Sequence, residues 1–221
     1  MMDSICGIDE AGRGPVIGPM VLCAAVFDKK GVEKLKELRV RDSKLVSPQR
    51  RRYLEPLIKQ IALEFKITAV SPSEIDRVRK KMSLNDIEAL KVAQMVQSLK
   101  AKPGKIIVDA ADSVAENYKK RIIHFLQQAD KGIVVPAIVS EHKADVKYPE
   151  VSAASILAKV ERDRQVEKLR QKHGDFGSGY PADEVTKKYI EEQVKKGELP
   201  DFIRKSWNTI KKGKQQKLGD Y

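Results

Sequence analysis

Two cysteines, three histidines and one tryptophan are all that 221 residues hold of those types, and each scarcity removes a class of function. Cys6 and Cys23 stand in separate apolar runs with no close-spaced thiol partner, which excludes a cysteine-built metal site and leaves buried free thiols as the expectation. His142 is a lone imidazole in a polar stretch, so a hydrogen-bonding or exposed role is expected ahead of acid catalysis. Trp207 is expected as a packing anchor rather than a base-stacking platform. No apolar run approaches the roughly 20 residues of a membrane-spanning helix, and no basic leader precedes an apolar core near residue 1. Neither a membrane span nor a signal peptide is expected, and the cytoplasm is the expected compartment.

Positive charge, by contrast, is abundant. Lys and Arg outnumber Asp and Glu 43 to 31, a formal net charge of +12. The basic residues cluster in 39–52 and again in 204–217, where six Lys/Arg occur with no acid between them. Clustered charge of this kind favours a polyanionic partner through phosphate neutralisation and counterion release, which points to nucleic acid. With 41% hydrophobic and 33% charged residues the chain reads as globular, long enough for one domain or one domain with an appendage.

The most informative run is Ser4-Ile5-Cys6-Gly7-Ile8-Asp9-Glu10-Ala11-Gly12-Arg13-Gly14-Pro15. An apolar, strand-like approach delivers two adjacent carboxylates into a glycine-rich turn carrying one cation. Desolvating carboxylates is costly, so two of them at the end of an apolar run need water, a cation or a metal beside them. The glycines permit positive φ and close approach of a ligand to the backbone. Residues 20–27 form a second, continuously apolar strand candidate, and 63–69 alternate as an edge strand with one wet face. Helices are expected after Ser47-Pro48, Ser71-Pro72 and Ser83, the first two with proline behind the cap.

Lys105-Ile106-Ile107-Val108-Asp109 is a buried strand that again terminates on an acid. A capping box of Ser113 and Glu116 is expected to open the next helix. Residues 132–139 read as a further strand, with Pro136 marking a bulge or strand end. They empty into a polar loop containing His142-Lys143-Ala144-Asp145, and residues 151–172 form a long helix ended by Gly174. This order begins as a meander and ends as βαβ units, the pattern of an α/β fold in which ligands gather at the carboxyl ends of parallel strands. Asp9, Glu10, Asp109 and Asp145 all fall there. An all-oxygen cluster without nearby Cys or His selects hard cations, Mg2+ or Mn2+. Two such ions about 4 Å apart clamp an in-line phosphodiester displacement.

Gly7-Ile8-Asp9-Glu10-Ala11-Gly12-Arg13-Gly14-Pro15, Asp42-Ser43-Lys44, Asp109, His142-Lys143-Ala144-Asp145, Ser152-Ala153-Ala154-Ser155-Ile156-Leu157-Ala158-Lys159 and Gly177-Ser178-Gly179-Tyr180-Pro181 together resemble ribonuclease HII, the type 2 ribonuclease H, in its archaeal-like single-chain form. The likeness is colinear over essentially the whole chain. It implies an RNase H-like mixed five-stranded sheet flanked by helices, with residues 1–175 as catalytic domain and 176–221 as a helical substrate-binding extension. It further implies metal-dependent endonucleolytic cleavage of RNA paired to DNA, including cutting on the 5′ side of a single embedded ribonucleotide to leave 3′-hydroxyl and 5′-phosphate ends.

By the same resemblance, Asp9, Glu10, Asp109 and Asp145 match the family's metal-binding acids. Gly12, Arg13 and Gly14 match the turn that reads the 2′-hydroxyl, and Tyr180 matches a tyrosine that stacks on the following deoxyribose. Ser43, Lys44, Lys143, Ser152, Ser155 and Lys159 complete the expected substrate-binding set, with Arg162 a weaker phosphate candidate. Asp112, just before Ser113, is read as a turn or helix-dipole residue rather than a rival to Asp109. A monomer is expected. Two other readings compete: an RNase H-like nuclease or strand-transferase acting on DNA, and a non-catalytic nucleic-acid-binding module whose acids merely cap strands. Asp145 separates the last, since a binding module needs no fourth acid.

Overall fold

In the computed structural model, which describes residues 4–40, 46–197, 199–208 and 210, the apolar run before Asp9 becomes strand β1 (Ile5–Ala11). The second apolar run becomes β2 (Met20–Phe27), with every residue buried. β3 (Glu64–Val70), β4 (Lys105–Asp109) and β5 (Ala137–Glu141) complete a five-stranded sheet ordered β3-β2-β1-β4-β5. β1 pairs antiparallel with β2, placing Asp9 opposite Cys23. It pairs parallel with β4, with Ile8 opposite Val108, and β4 pairs parallel with β5, with Asp109 opposite Glu141. The half-polar strand β3 takes the edge, as its alternation requires.

The helices of this part begin where their caps direct. Asp28 accepts from Gly31 N to open α1 (Lys29–Glu37), and Ser47 accepts from Arg50 N to open α2 (Pro48–Ile61). α3 (Pro72–Val78) is capped by Ser71, and a reciprocal Ser83–Asp86 box starts α4 (Leu84–Ser98). Two local expectations fail. α5 (Ala115–Ala129) is capped at Val114 without any side-chain bond, and Glu116 reaches forward to Lys119 at 3.5 Å instead of back to Ser113. β5 runs Ala137–Glu141 rather than over 132–139, starting directly after Pro136, the residue expected to mark a bulge or strand end. The polar loop after β5 holds a single helical turn, α6 (Ala144–Lys147), before the long α7 (Pro149–His173).

Two compact units divide the chain. One comprises the residues up to Ala11, Val21–Thr68 and Ser83–Glu161. Its core packs one face of β2 (Val21, Cys23, Ala25, Phe27) against Leu35 of α1, Leu54 and Ile58 of α2, and the small-residue start of α7 around Ala153, Ala154 and Ala158. Both cysteines are free and buried. A close approach pins α7 to the sheet: a Cβ on Gly7 would lie 2.2 Å from the backbone carbon and oxygen of Glu150. Backbone cannot yield as a side chain can, so Gly7→Ala is expected to destabilise the fold by about 3 kcal/mol. Thermal unfolding should show this as a fall in Tm of roughly 6–12 °C.

The second unit comprises Gly12–Met20, Ala69–Met82 and the chain from Arg162 onward. Its core gathers Val16, Ile17, Val166, Phe176, Ile190 and Phe202. Ile17 and Ile203 form an isolated antiparallel bridge, and α8 (Glu184–Lys195) is capped by Asp183. Among the described residues no helix is long and apolar enough to cross a membrane.

Candidate active site

β1, β4 and β5 run parallel, so their carboxyl ends share one edge of the sheet, and the acids lie at that edge. Asp9 is only 6% exposed. Its Oδ1 accepts from the Glu10 amide at 2.7 Å. Ser155 of α7 hydrogen-bonds to the same carboxyl, and Lys159, one helical turn on, donates its ammonium to Ser155 Oγ at 3.0 Å. Spacing of four residues along a helix is what stacks those two side chains on one face. Asp109 closes β4, and its Oδ1 accepts from Ala144 N at 2.8 Å, which fixes the start of α6. The chain turns into α6 through Lys143 in the left-handed region, φ 57°. Asp145 follows on that turn and is 1% exposed.

Burial pushes the Asp9 carboxyl well above the ordinary aspartate value, and the charges of Glu10 and Asp109 push it further, against the Ser155 hydrogen bond. An ionised Asp9 therefore calls for compensating positive charge. Oxygen donors alone are present, the donor chemistry of Mg2+ and Mn2+. Among the described residues no three His, Cys, Asp or Glu side chains are gathered as a ready-made metal cage. Asp112 is occupied elsewhere: it accepts from Asn85 Nδ2 at 2.5 Å and from Arg121 Nε at 2.8 Å. That makes it a structural turn acid. His142 is exposed, its Nε2 3.2 Å from the Ser113 carbonyl.

The other predicted residues fall out as follows. Lys143 is exposed, and Ser152 is fully buried with a hydroxyl that makes no hydrogen bond among the described residues. Ser43 and Lys44 lie outside the described residues. In the second unit Gly12 adopts φ 81°, and Tyr180 lies against Gly14, its Cε1 3.4 Å from where a Cβ would stand. The Tyr180 loop is locked at Gly179 through both its carbonyl and its amide. Gly179 accepts from Val16 N at 2.8 Å and Ile17 N at 3.2 Å, while its own amide donates to Thr186 Oγ1 at 3.0 Å.

Arg162 sets its guanidinium 5.8 Å from the Tyr180 ring centroid, with its Nε and Nη2 buried and without hydrogen-bond partners among the described residues. Arg204 is the residue that sequence reasoning missed. It sits in a basic stretch yet is fully buried, and the one available signal was its position directly after the apolar pair Phe202-Ile203.

Comparison with known proteins agrees along the length of the chain. The family model described as ribonuclease HII matches residues 6–210. Ribonuclease HII of Pyrococcus furiosus is 48% identical over 209 residues, 94% of this chain and 90% of that protein. Among solved structures, the ribonuclease H2 from Pyrococcus horikoshii OT3 superposes with a TM-score of 0.86 at 43% identity, covering 96% of this chain and 98% of that one. The ribonuclease HII of Archaeoglobus fulgidus, solved in complex with PCNA, gives 0.83 at 36% identity, covering 98% and 100%.

Proposed function

The chain belongs to the ribonuclease HII family of endonucleases, and on that premise we propose that it cuts the RNA strand of RNA–DNA hybrids and the 5′ side of ribonucleotides embedded in duplex DNA by two-metal-ion catalysis. The observation that carries this reading is the buried Asp9 carboxyl, pushed up by burial and by the charges of Glu10 and Asp109 at the carboxyl end of parallel strands. Such a site is relieved by a divalent cation. Asp9, Glu10, Asp109 and Asp145 are the residues that hold Mg2+ or Mn2+ in this reading. When bound, the ions stabilise charge on the phosphate and make water a stronger nucleophile near neutral pH.

The protein's own groups do the rest. Ser155, hydrogen-bonded to Asp9 and itself receiving Lys159, keeps that carboxylate from rotating out of register. Lys44, Lys143 and Lys159 supply cations for the phosphate backbone, which positions substrate without reading sequence. Gly12, Arg13 and Gly14 read the 2′-hydroxyl, the group that distinguishes RNA from DNA, and Tyr180 stacks on the neighbouring deoxyribose. Products carry 3′-hydroxyl and 5′-phosphate ends. Residues 1–175 act as catalytic domain and 176–221 as substrate-binding extension. The protein works as a monomer in the cytoplasm.

One assay tests the proposal: a duplex carrying a single ribonucleotide is incubated with Mg2+, with Mn2+ or with chelator, and the cut is mapped. Cleavage on the 5′ side of the ribonucleotide is expected with either metal and none with chelator. Cleavage that survives chelation, or equal cutting of an all-DNA duplex, overturns it.

A further inference from the structure

One short segment of the second unit holds the carbonyl side of the Gly12-Arg13-Gly14 turn. The fully buried Arg204 donates from Nη2 to the Gly12 carbonyl at 2.5 Å and from Nη1 to the Arg13 carbonyl at 2.9 Å. Its Nε donates to the Gly18 carbonyl at 3.0 Å. Trp207 Nε1 donates to the Gly14 carbonyl at 3.2 Å. The indole ring in turn supports the cation, its centroid 4.7 Å from the guanidinium carbon. The segment is itself anchored: Arg204 N donates to the Val16 carbonyl at 2.8 Å. Asp76 accepts from the amides of Lys205 at 2.7 Å and Ser206 at 2.9 Å.

Burying an arginine is costly unless its donors are satisfied. Its rigid fork of N–H groups suits several fixed carbonyls at once, which a lysine ammonium on a flexible stem does not. The outcome for the turn follows from peptide geometry. A trans peptide is planar, so a carbonyl and the N–H of the next residue point to opposite sides, and the described residues contain no cis bond. Holding the Gly12 carbonyl aims the Arg13 N–H away from Arg204, and holding the Arg13 carbonyl aims the Gly14 N–H likewise. Pro15 has no N–H, so the donor pair ends there. The Tyr180 ring lies beside Gly14. Successive backbone amides of this kind form a concavity for an electron-rich oxygen.

We propose that Arg204 and Trp207 are positioning residues for ribose selectivity: by holding the carbonyls of Gly12, Arg13 and Gly14 they aim the Arg13 and Gly14 amides at the sugar. This deepens, and rests on, the reading of that turn as the reader of the 2′-hydroxyl. Neither side chain touches substrate.

The test compares a duplex carrying one ribonucleotide with the same duplex in all-deoxy form. Trp207→Phe keeps an aromatic ring beside Arg204 but removes the five-membered ring of the indole with its N–H, and is expected to lower kcat/KM on the ribonucleotide duplex about 3- to 10-fold. Arg204→Lys keeps the charge and removes the fork, with an expected loss of about 10- to 100-fold. Affinity for the all-deoxy duplex should stay at the wild-type value in both, because phosphate contacts are untouched. A merely structural role would instead lower Tm while kcat/KM per folded molecule held, or weaken both duplexes equally, and either result overturns the proposal. Should Arg204→Lys fail to fold, Trp207→Phe decides alone. A wild-type protein that does not distinguish the two duplexes overturns the reading of the turn itself. A wild type that does, with both variants equally selective, overturns only the positioning role.

Discussion

Asp9→Asn is expected to lower kcat by roughly a thousandfold or more, the scale of losing several kcal/mol of transition-state charge stabilisation, while the variant binds its substrate duplex with near wild-type affinity. The same substitution should raise Tm when measured with chelator present. Wild-type Asp9 is an acid whose proton the fold retains and the unfolded chain releases at the ordinary aspartate value, because burial and the charges of Glu10 and Asp109 raise its folded pKa. Below the ordinary value both states are protonated and the group contributes nothing to pH dependence. As pH rises past it, the unfolded chain is favoured, and the deficit stops growing only above the raised folded value. Asparagine has no such deficit. The Tm gap between variant and wild type should therefore widen with pH, and adding Mg2+ or Mn2+ should narrow it by stabilising wild type alone. A variant that loses folding and duplex binding together would mark Asp9 as a structural acid.

That combination of lost activity and gained stability is what separates a site residue from a core residue, and it bears on how much of the molecule could be read from its sequence. Period and punctuation placed the first four strands, while β5, expected over 132–139, runs Ala137–Glu141. The unbroken apolar run of β2 reads as central, and all eight of its residues are buried; the alternation of β3 reads as an edge, and it lies at one. The acids at strand ends were legible because a carboxylate closing an apolar run is locally uncomfortable. What stayed hidden depends on contacts between distant segments. Ser113 and Glu116 have the spacing of a capping box, but the helix begins at Ala115 and Glu116 pairs with Lys119, since local propensity competes with the path of the chain out of β4. Arg204 shows the limit most clearly. It stands between the apolar Phe202-Ile203 and the basic Lys205, and the partners it meets, 186 to 192 residues away along the chain, are what reveal it as a buried fork for backbone carbonyls.

Gly12→Ala is expected to reduce cleavage at a single embedded ribonucleotide by about a hundredfold, the penalty of displacing a positioning element by around 1 Å. Gly12 sits at φ 81°, where a Cβ costs roughly 1–2 kcal/mol. That Cβ would also stand 2.6 Å from Arg162 Nε, 2.7 Å from Arg162 Cδ and 2.7 Å from the Pro19 carbonyl oxygen. The Arg162 atoms it meets belong to the middle of a largely buried side chain, and the Pro19 carbonyl is backbone, so the turn itself must move. Gly14→Ala supplies the contrast. Its nearest neighbours would be the Tyr180 ring atoms at 3.4 and 3.8 Å, ordinary contact, so its Tm should match wild type while that of Gly12→Ala falls. The two variants thus separate a glycine demanded by backbone conformation from one that leaves room for an aromatic ring. Affinity of Gly12→Ala for an all-deoxy duplex should remain at the wild-type level, because phosphate contacts do not pass through the turn. Full ribonucleotide cleavage by Gly12→Ala would show that the turn tolerates displacement and that ribose is read elsewhere.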